Sequence, residues 1–313
     1  MSTKSKNILF RADSSSTIGT GHIMRDLVLA QKYAKKGNNI TFATQNIKGN
    51  INYKIKETGY TLKILKSNAI EELDTLIKKL KIDMIVIDHY EIDESQERKL
   101  KTKNKKLKIM VLDDTYEKHY CDILLNHNIN ADKKKYITKV PKQCKLKCGS
   151  KYTLLRDEFI KEKKRLKKRF NTQDSTFNIF LAMGGADTEN LNISILKVLS
   201  NYKNIKVTLV TTSSNQNLAI LQRYCKNKRW IDLQINSTKI AKLIRKSDFG
   251  IITPSVTANE MYFMQIPFIA IKTANNQKEM YKFLKEQNYL TIKKFNRYIL
   301  NFFIKKLLKR IYL

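Results

Sequence analysis

An apolar run that breaks into a glycine-bearing loop and restarts at helical spacing occurs twice in this chain, and that unit most narrows the folds open to it. In the first, Ile8, Leu9 and Phe10 read as a short buried strand, Asp13 to Gly21 supplies turn formers, and Ile23, Leu27, Ala30 and Ala34 return on one helical face. In the second, Phe177 to Met183 is the strand, Gly184-Gly185 the loop, and Asp187 starts a helix carrying Leu191, Ile195 and Val198. Strand and helix alternate around both units without a hairpin signal. Met84 to Ile87 and Ile109 to Leu112 are continuous apolar runs, as parallel strands covered on both faces require. The expectation is an α/β chain of two Rossmann-like domains facing across a cleft, residues 1–170 and 171–313, joined where the turn residues Asn171 to Ser175 interrupt a basic helix read over Asp157 to Arg169.

Ligands of open α/β sheets gather beyond the carboxyl ends of strands, which places the candidate residues. Gly19 and Gly21 offer close backbone approach at a helix start, a place for an anion, and Gly184-Gly185 repeats that outline. His22 stands at the loop-to-helix junction, where the helix dipole disfavours a cation, so a neutral imidazole is expected. It reads either as a base or as a helix cap. Asp88-His89-Tyr90 and Asp113-Asp114 end the two apolar runs and fall beside the His22 loop. The acids read as cleft groups or as turn and helix caps, and Tyr90 as a cleft residue or a packed aromatic. In the second half Glu260, with Asn259, lies near a helix start, from which a carboxylate accepts hydrogen bonds from ribose hydroxyls or stabilises the helix N-terminus. Asn276-Gln277 opens the next helix at a strand's carboxyl end.

A net charge of +33 invites a nucleic-acid reading, but the lysines are scattered over most helices, together with many Asn and Ile, in the manner of an AT-rich coding bias. No aromatic-and-glycine RNA-binding motif accompanies them, so no nucleic-acid partner is expected and the charge is left to steer an anionic small substrate. The four cysteines form no CxxC pair, which points to reduced structural thiols and no zinc. Met1 to Lys6 is polar and no run reaches the ~20 apolar residues of a membrane span, so a cytoplasmic protein without an integral membrane segment is expected. The tail from Tyr298 to Leu313 carries Ile299, Phe302, Phe303, Leu307, Leu308 and Ile311 as an apolar stripe with lysines opposite. It reads as a docking helix, with an acidic membrane surface as the alternative.

With those residues in place, the motifs F-R-A-D-S-S-S-x-I-G-x-G-H-x-x-R-D at 10–26, V-I-D-H-Y at 86–90, C-D-I-L-L-N at 121–126, C-G-x-x-Y-x-L-L-R-x-E-F at 148–159, M-G-G-A-D at 183–187, T-S-S-N-x-N-L at 212–218 and N-E at 259–260 resemble the PseG family, the UDP-sugar hydrolases of pseudaminic acid biosynthesis. The resemblance runs from Asn7 to about Leu290. It implies a GT-B fold related to MurG-type glycosyltransferases, and hydrolysis of UDP-2,4-diacetamido-2,4,6-trideoxy-β-L-altropyranose without metal or cofactor, ahead of flagellin glycosylation. It also implies a monomer. By resemblance His22 is the general base, and Arg156, Asn259, Glu260, Asn276 and Gln277 contact the nucleotide sugar. The Gly184-Gly185 amides would then hold the departing diphosphate, while Asp88 and Tyr90 would position sugar or water. A GT-B glycosyltransferase using a sugar or lipid acceptor is the alternative, and a charge-driven nucleic-acid or membrane-surface binder a further one.

Overall fold

The computed structural model describes residues 5–166 and 176–312, without the side chains of residues 310–312. The chain divides into two units, Met1–Leu154 and Leu155–Leu313. The first is built from strands β1 (Asn7–Ala12), β2 (Asn39–Gln45), β3 (Thr61–Leu65), β4 (Met84–Asp88), β5 (Lys108–Leu112), β6 (Ile123–Asn126) and β7 (Lys145–Cys148), with helices α1 (Gly21–Ala34), α2 (Asn52–Glu57), α3 (Ile70–Lys79) and α4 (Glu94–Lys103) between them. Every strand pair is parallel, in the order β3-β2-β1-β4-β5-β6-β7.

Continuous apolar runs become two-faced strands by simple alternation. Ile85 and Ile87 of β4 pack with Leu73, Ile77 and Leu100 from α3 and α4, while Met84 and Val86 pack with Ile23, Leu29 and Ile55 from α1 and α2. Phe10 stacks on Phe42 across β1 and β2, ring centroids 5.0 Å apart. The strand order reverses between β1 and β4, whose ends are aligned with Ala12 opposite Asp88. A crevice for ligands opens at such a point, between the loop after β1 and the residues after β4.

The second unit holds α5 (Asp157–Lys164), β8 (Phe177–Ala182), α6 (Leu191–Leu199), β9 (Ile205–Thr211), α7 (Leu218–Cys225), β10 (Ile231–Ile235), α8 (Ile240–Arg245), β11 (Phe249–Ile252), α9 (Val256–Met264), β12 (Phe268–Ile271), α10 (Lys278–Glu286), β13 (Leu290–Ile292) and α11 (Arg297–Tyr312). Its parallel sheet runs β10-β9-β8-β11-β12-β13, with the reversal between β8 and β11. The loop carrying Gly184-Gly185 and the segment leading to Asn259-Glu260 follow those two strands.

Several boundaries depart from the sequence reading for identifiable reasons. The units divide ahead of α5 because that helix packs on α8 and α9, with Arg245 Nε donating to Glu162 at 2.5 Å. The turn residues 171–175 and the last residues of the basic helix lie outside the described residues. Asp187 stands in a left-handed turn, φ 43°, and α6 begins at Leu191, the Asp187 carboxylate accepting from the amides of Leu191 and Asn192 at 2.9 and 3.0 Å. The tail does dock as a helix, but in a different phase. Leu300, Ile304 and Leu307 are buried in the second unit's core and Phe303 and Leu308 pack beside them, while Ile299 and Phe302 face outward. Ile311 lies outside the described side chains.

Candidate active site

The Ser-rich loop after β1 is largely occupied in shaping itself. Ser15 and Gly19 exchange backbone hydrogen bonds, the amide of Gly19 donating to the Ser15 carbonyl at 2.9 Å, and Ser15 Oγ accepts from the amides of Thr17 and Ile18. Ser14 Oγ accepts from Ile51 N, tying the loop to the start of α2. The Gly19 amide itself closes the turn that delivers Gly21 and His22 to the start of α1, and the backbone at both glycines stays open, with nothing within 4 Å of the place a Cβ would take. Asp13 anchors the base of the loop, its buried carboxylate accepting from Arg11, His89 and Gln45 N at 2.7, 3.1 and 2.6 Å. His89 is thus a scaffold residue.

His22 does not cap α1; no side chain caps that helix. Instead His22 Nδ1 lies 2.8 Å from Asp88 Oδ1 and 3.0 Å from the Asp88 carbonyl oxygen. Asp88 is buried at the end of β4, and Arg25, one turn along α1 from His22, grips both of its oxygens, Nε at 2.6 Å from Oδ2 and Nη2 on Oδ1. Burial pushes the Asp88 carboxyl up, but the pull of Arg25 and His22 outweighs it and holds the group below the usual carboxylate range. Asp88 is therefore ionised and can only accept, so Nδ1 of His22 carries a proton towards it.

The rest of the cluster closes around this pair. Arg25 Nη1 donates to Asp114 Oδ2 at 2.9 Å, the Tyr90 hydroxyl donates to Asp114 Oδ1 at 3.1 Å, and the Tyr90 ring meets His22 edge to face with centroids 4.8 Å apart. Tyr90 is 58% exposed, so a packed aromatic is not its role. The two acids after β5 separate: Asp114 joins His22, whereas Asp113 turns to Tyr136 Oη, 2.6 Å away, and to Thr115. Glu97 binds His119 at 2.8 Å, and burial, which lowers His119, is overcome by Asp113 and Glu97, which raise it to about 9.

In the second unit, three donors converge on the carbonyl of Gly185: the hydroxyls of Thr211 and Thr212 and the amide of Thr212, at 3.0, 3.0 and 3.1 Å. The T-S-S-N motif thus sets the plane of the glycine loop. A Cβ at Gly185 would come within 2.8 Å of the Thr212 side chain, so the loop needs glycine there for space. Arg156 Nη2 donates to Glu260 Oε1 at 3.1 Å and Arg156 Nη1 pairs with Glu158 at 2.8 Å. Burial in α9 pushes Glu260 up to about 7 against the opposing pull of Arg156. Asn259 is buried beside it. Asn276 is exposed in the short turn before α10, but Gln277 is committed: its Oε1 accepts from Thr273 N and Ala274 N at 2.8 and 3.3 Å, bracing the turn rather than presenting a free amide.

No family model matches the chain. Over 282 residues, 90% of this chain and 97% of the relative, it is 38% identical to the UDP-2,4-diacetamido-2,4,6-trideoxy-beta-L-altropyranose hydrolase of Campylobacter jejuni. The chain belongs to this hydrolase family. It is also 31% identical, over 86% of its length and 56% of the relative, to the uncharacterized protein MJ1062 of Methanocaldococcus jannaschii. Among solved structures it resembles Acinetobacter baumannii MurG (TM-score 0.67, 14% identity, 98% of this chain and 92% of that one) and a Rickettsia africae glycosyltransferase (0.62, 15%, 99% and 89%). At those identities the likeness is one of fold, and the fold is GT-B.

Arg25 and Asp26 close the 10–26 motif without a role having been read for them, and His127 was not singled out at all. Arg25 was visible as the residue three after His22, hence on the same helix face, but nothing in a sequence names its partners. Asp26 is fully buried, and neither carboxylate oxygen meets a hydrogen-bond partner among the described residues; burial and the charge of Asp88 raise it well above the usual range. Both ring nitrogens of His127, after β6, are likewise without a hydrogen-bond partner, and burial with the Arg25 charge pushes it down to about 3. Burial favours the neutral form of each.

Proposed function

We propose that this chain hydrolyses UDP-2,4-diacetamido-2,4,6-trideoxy-β-L-altropyranose to UDP and the free sugar, by attack of water at the anomeric carbon with inversion, as a step of pseudaminic acid biosynthesis. The observation that carries this reading is the 38% identity across 97% of a hydrolase of that name. The His22–Asp88 pair supports it, because it supplies the one group the chemistry requires. Asp88 holds the Nδ1 proton, and Nε2 takes a proton from water as the new C–O bond forms. The bond from the anomeric carbon to the diphosphate breaks on the opposite face, through a transition state with oxocarbenium character, and its electron pair leaves with UDP.

Tyr90, exposed against His22, positions sugar or water. The diphosphate is received by amides of the Gly184-Gly185 loop and by the charge of Arg156, and the ribose hydroxyls by Glu260, with Asn259 and Asn276 beside them. Gln277 keeps the turn that presents Asn276. UDP is a good leaving group, so the reaction needs no metal, and we assign the chain as a cytoplasmic monomer acting on a small-molecule substrate.

The test is UDP release in EDTA, the sugar product followed by NMR, with UDP-GlcNAc offered beside the altrose-configured substrate. Inverting hydrolysis of the altrose-configured sugar alone supports the proposal. UDP-sugar binding without hydrolysis would replace it with a transferase awaiting an acceptor.

A further inference from the structure

We propose that Arg25 is the positioning residue of this site: it joins Asp88 and Asp114 into one frame that holds His22 and Tyr90 in place and keeps His22 a neutral base. The inference rests on the hydrolase reading and goes beyond it, to a residue that does not touch the reacting atoms. Its geometry is a closed circuit. Arg25 binds both oxygens of Asp88 and one of Asp114; Asp88 receives Nδ1 of His22, Asp114 receives the hydroxyl of Tyr90, and the two rings meet edge to face. Each of the three guanidinium nitrogens has a separate acceptor, a planar fork that a lysine ammonium does not reproduce.

The charge argument is independent of the geometric one. A histidine facing an unpaired carboxylate is driven towards imidazolium, which has no lone pair to offer water. Around His22 stand two carboxylates, Asp88 at the end of β4 and Asp114 after β5. The remaining titratable groups of the cluster are Asp26 and Arg25 on α1, Tyr90 after β4 and His127 after β6, with Lys32 further along α1 acting on His127. Burial favours the neutral forms of Asp26 and His127 and Tyr90 is a phenol, and Arg25 is the cation seen against both acids. It offsets Asp88 while leaving that carboxylate able to orient the imidazole.

The experiment compares pH profiles of kcat/KM for the full chain and for Arg25→Lys, with His22 followed by NMR of labelled histidine in the same proteins. The chain has only four histidines, and His22→Asn assigns the resonance. Arg25→Lys keeps the charge but loosens the fork: kcat should fall about tenfold or more, and both the acidic limb and the His22 titration should move to higher pH by about one unit. Asp114→Asn, which leaves Arg25 facing one acid, should move both to lower pH and raise KM by releasing Tyr90. A folded Arg25→Lys protein with the wild-type limb and titration overturns the proposal; if that variant does not fold, an unmoved limb in Asp114→Asn does so. A wild type that releases no UDP would sink the hydrolase reading alone, because the histidine titrations report on Arg25 without turnover.

Discussion

The two glycine loops follow the first strand of two sheets with the same central topology, yet they are backed by different chemistry. Behind the loop after β1 lies a cluster of ionisable side chains, His22, Asp88, Arg25, Asp114 and Asp26, brought together from one helix and two neighbouring strand ends. Behind the loop after β8 lie neutral hydroxyls, Thr211 and Thr212, bonded to a main-chain carbonyl, and the ion pair of Arg156 and Glu260 is the charged group nearest in role. Sheet topology chooses where a ligand goes, and the residues after the strands choose between reacting with it and holding it.

That contrast can be broken by substitution. With His22 as the proposed base, His22→Asn should lower turnover about 10²–10⁴-fold while UDP affinity stays near wild type. An unchanged rate would remove the base from His22. Asp88→Asn keeps the shape but no longer fixes the Nδ1 proton, and a loss of about 10²-fold or more in kcat with little change in KM is expected. Glu260→Gln acts on the other loop's side of the division: calorimetric titration should show UDP binding weakened about 10–100-fold, the worth of a hydrogen bond to a charged group. If kcat alone fell, holding and reacting would not be separable in this way.

The smallest effect is on stability and concerns neither loop. His119 is raised from 6.5 to about 9, so its pairing with Glu97 and Asp113 stabilises the fold fully below pH 6.5 and loses that contribution as pH rises through about 9. His119→Gln should therefore melt lower than wild type at pH 6, by a few degrees per kcal/mol lost, and the gap should close by pH 9.5. Parallel melting curves at all pH values would exclude the linkage.

The sheets were legible because their central strands are apolar throughout, leaving little else for such short runs to be. Lys145–Cys148 was missed as a strand since an edge position lets it carry two lysines, and Leu290–Ile292 since three residues make no pattern. The tail's phase was misjudged for a related reason. Ile299, Leu300, Phe302, Phe303, Ile304 and Leu307 encircle most of α11, so periodicity alone cannot say which side meets the core. At the site, His22, Asp88 and Tyr90 were nominated from their places at strand and helix ends, and the structure brings the three together. What sequence could not supply was partnership: that Asp88 faces His22, that Asp113 and its neighbour part company, or that Gln277 braces its own turn.

A guanidinium shared by the ends of two adjacent strands also shapes how this site can vary. Exchanging Arg25 alone strands two carboxylates and exchanging either acid alone costs Arg25 a partner, whereas a concerted exchange avoids both. Substitutions at these three positions should be strongly non-additive, and sequence change there should pass through few single-step intermediates.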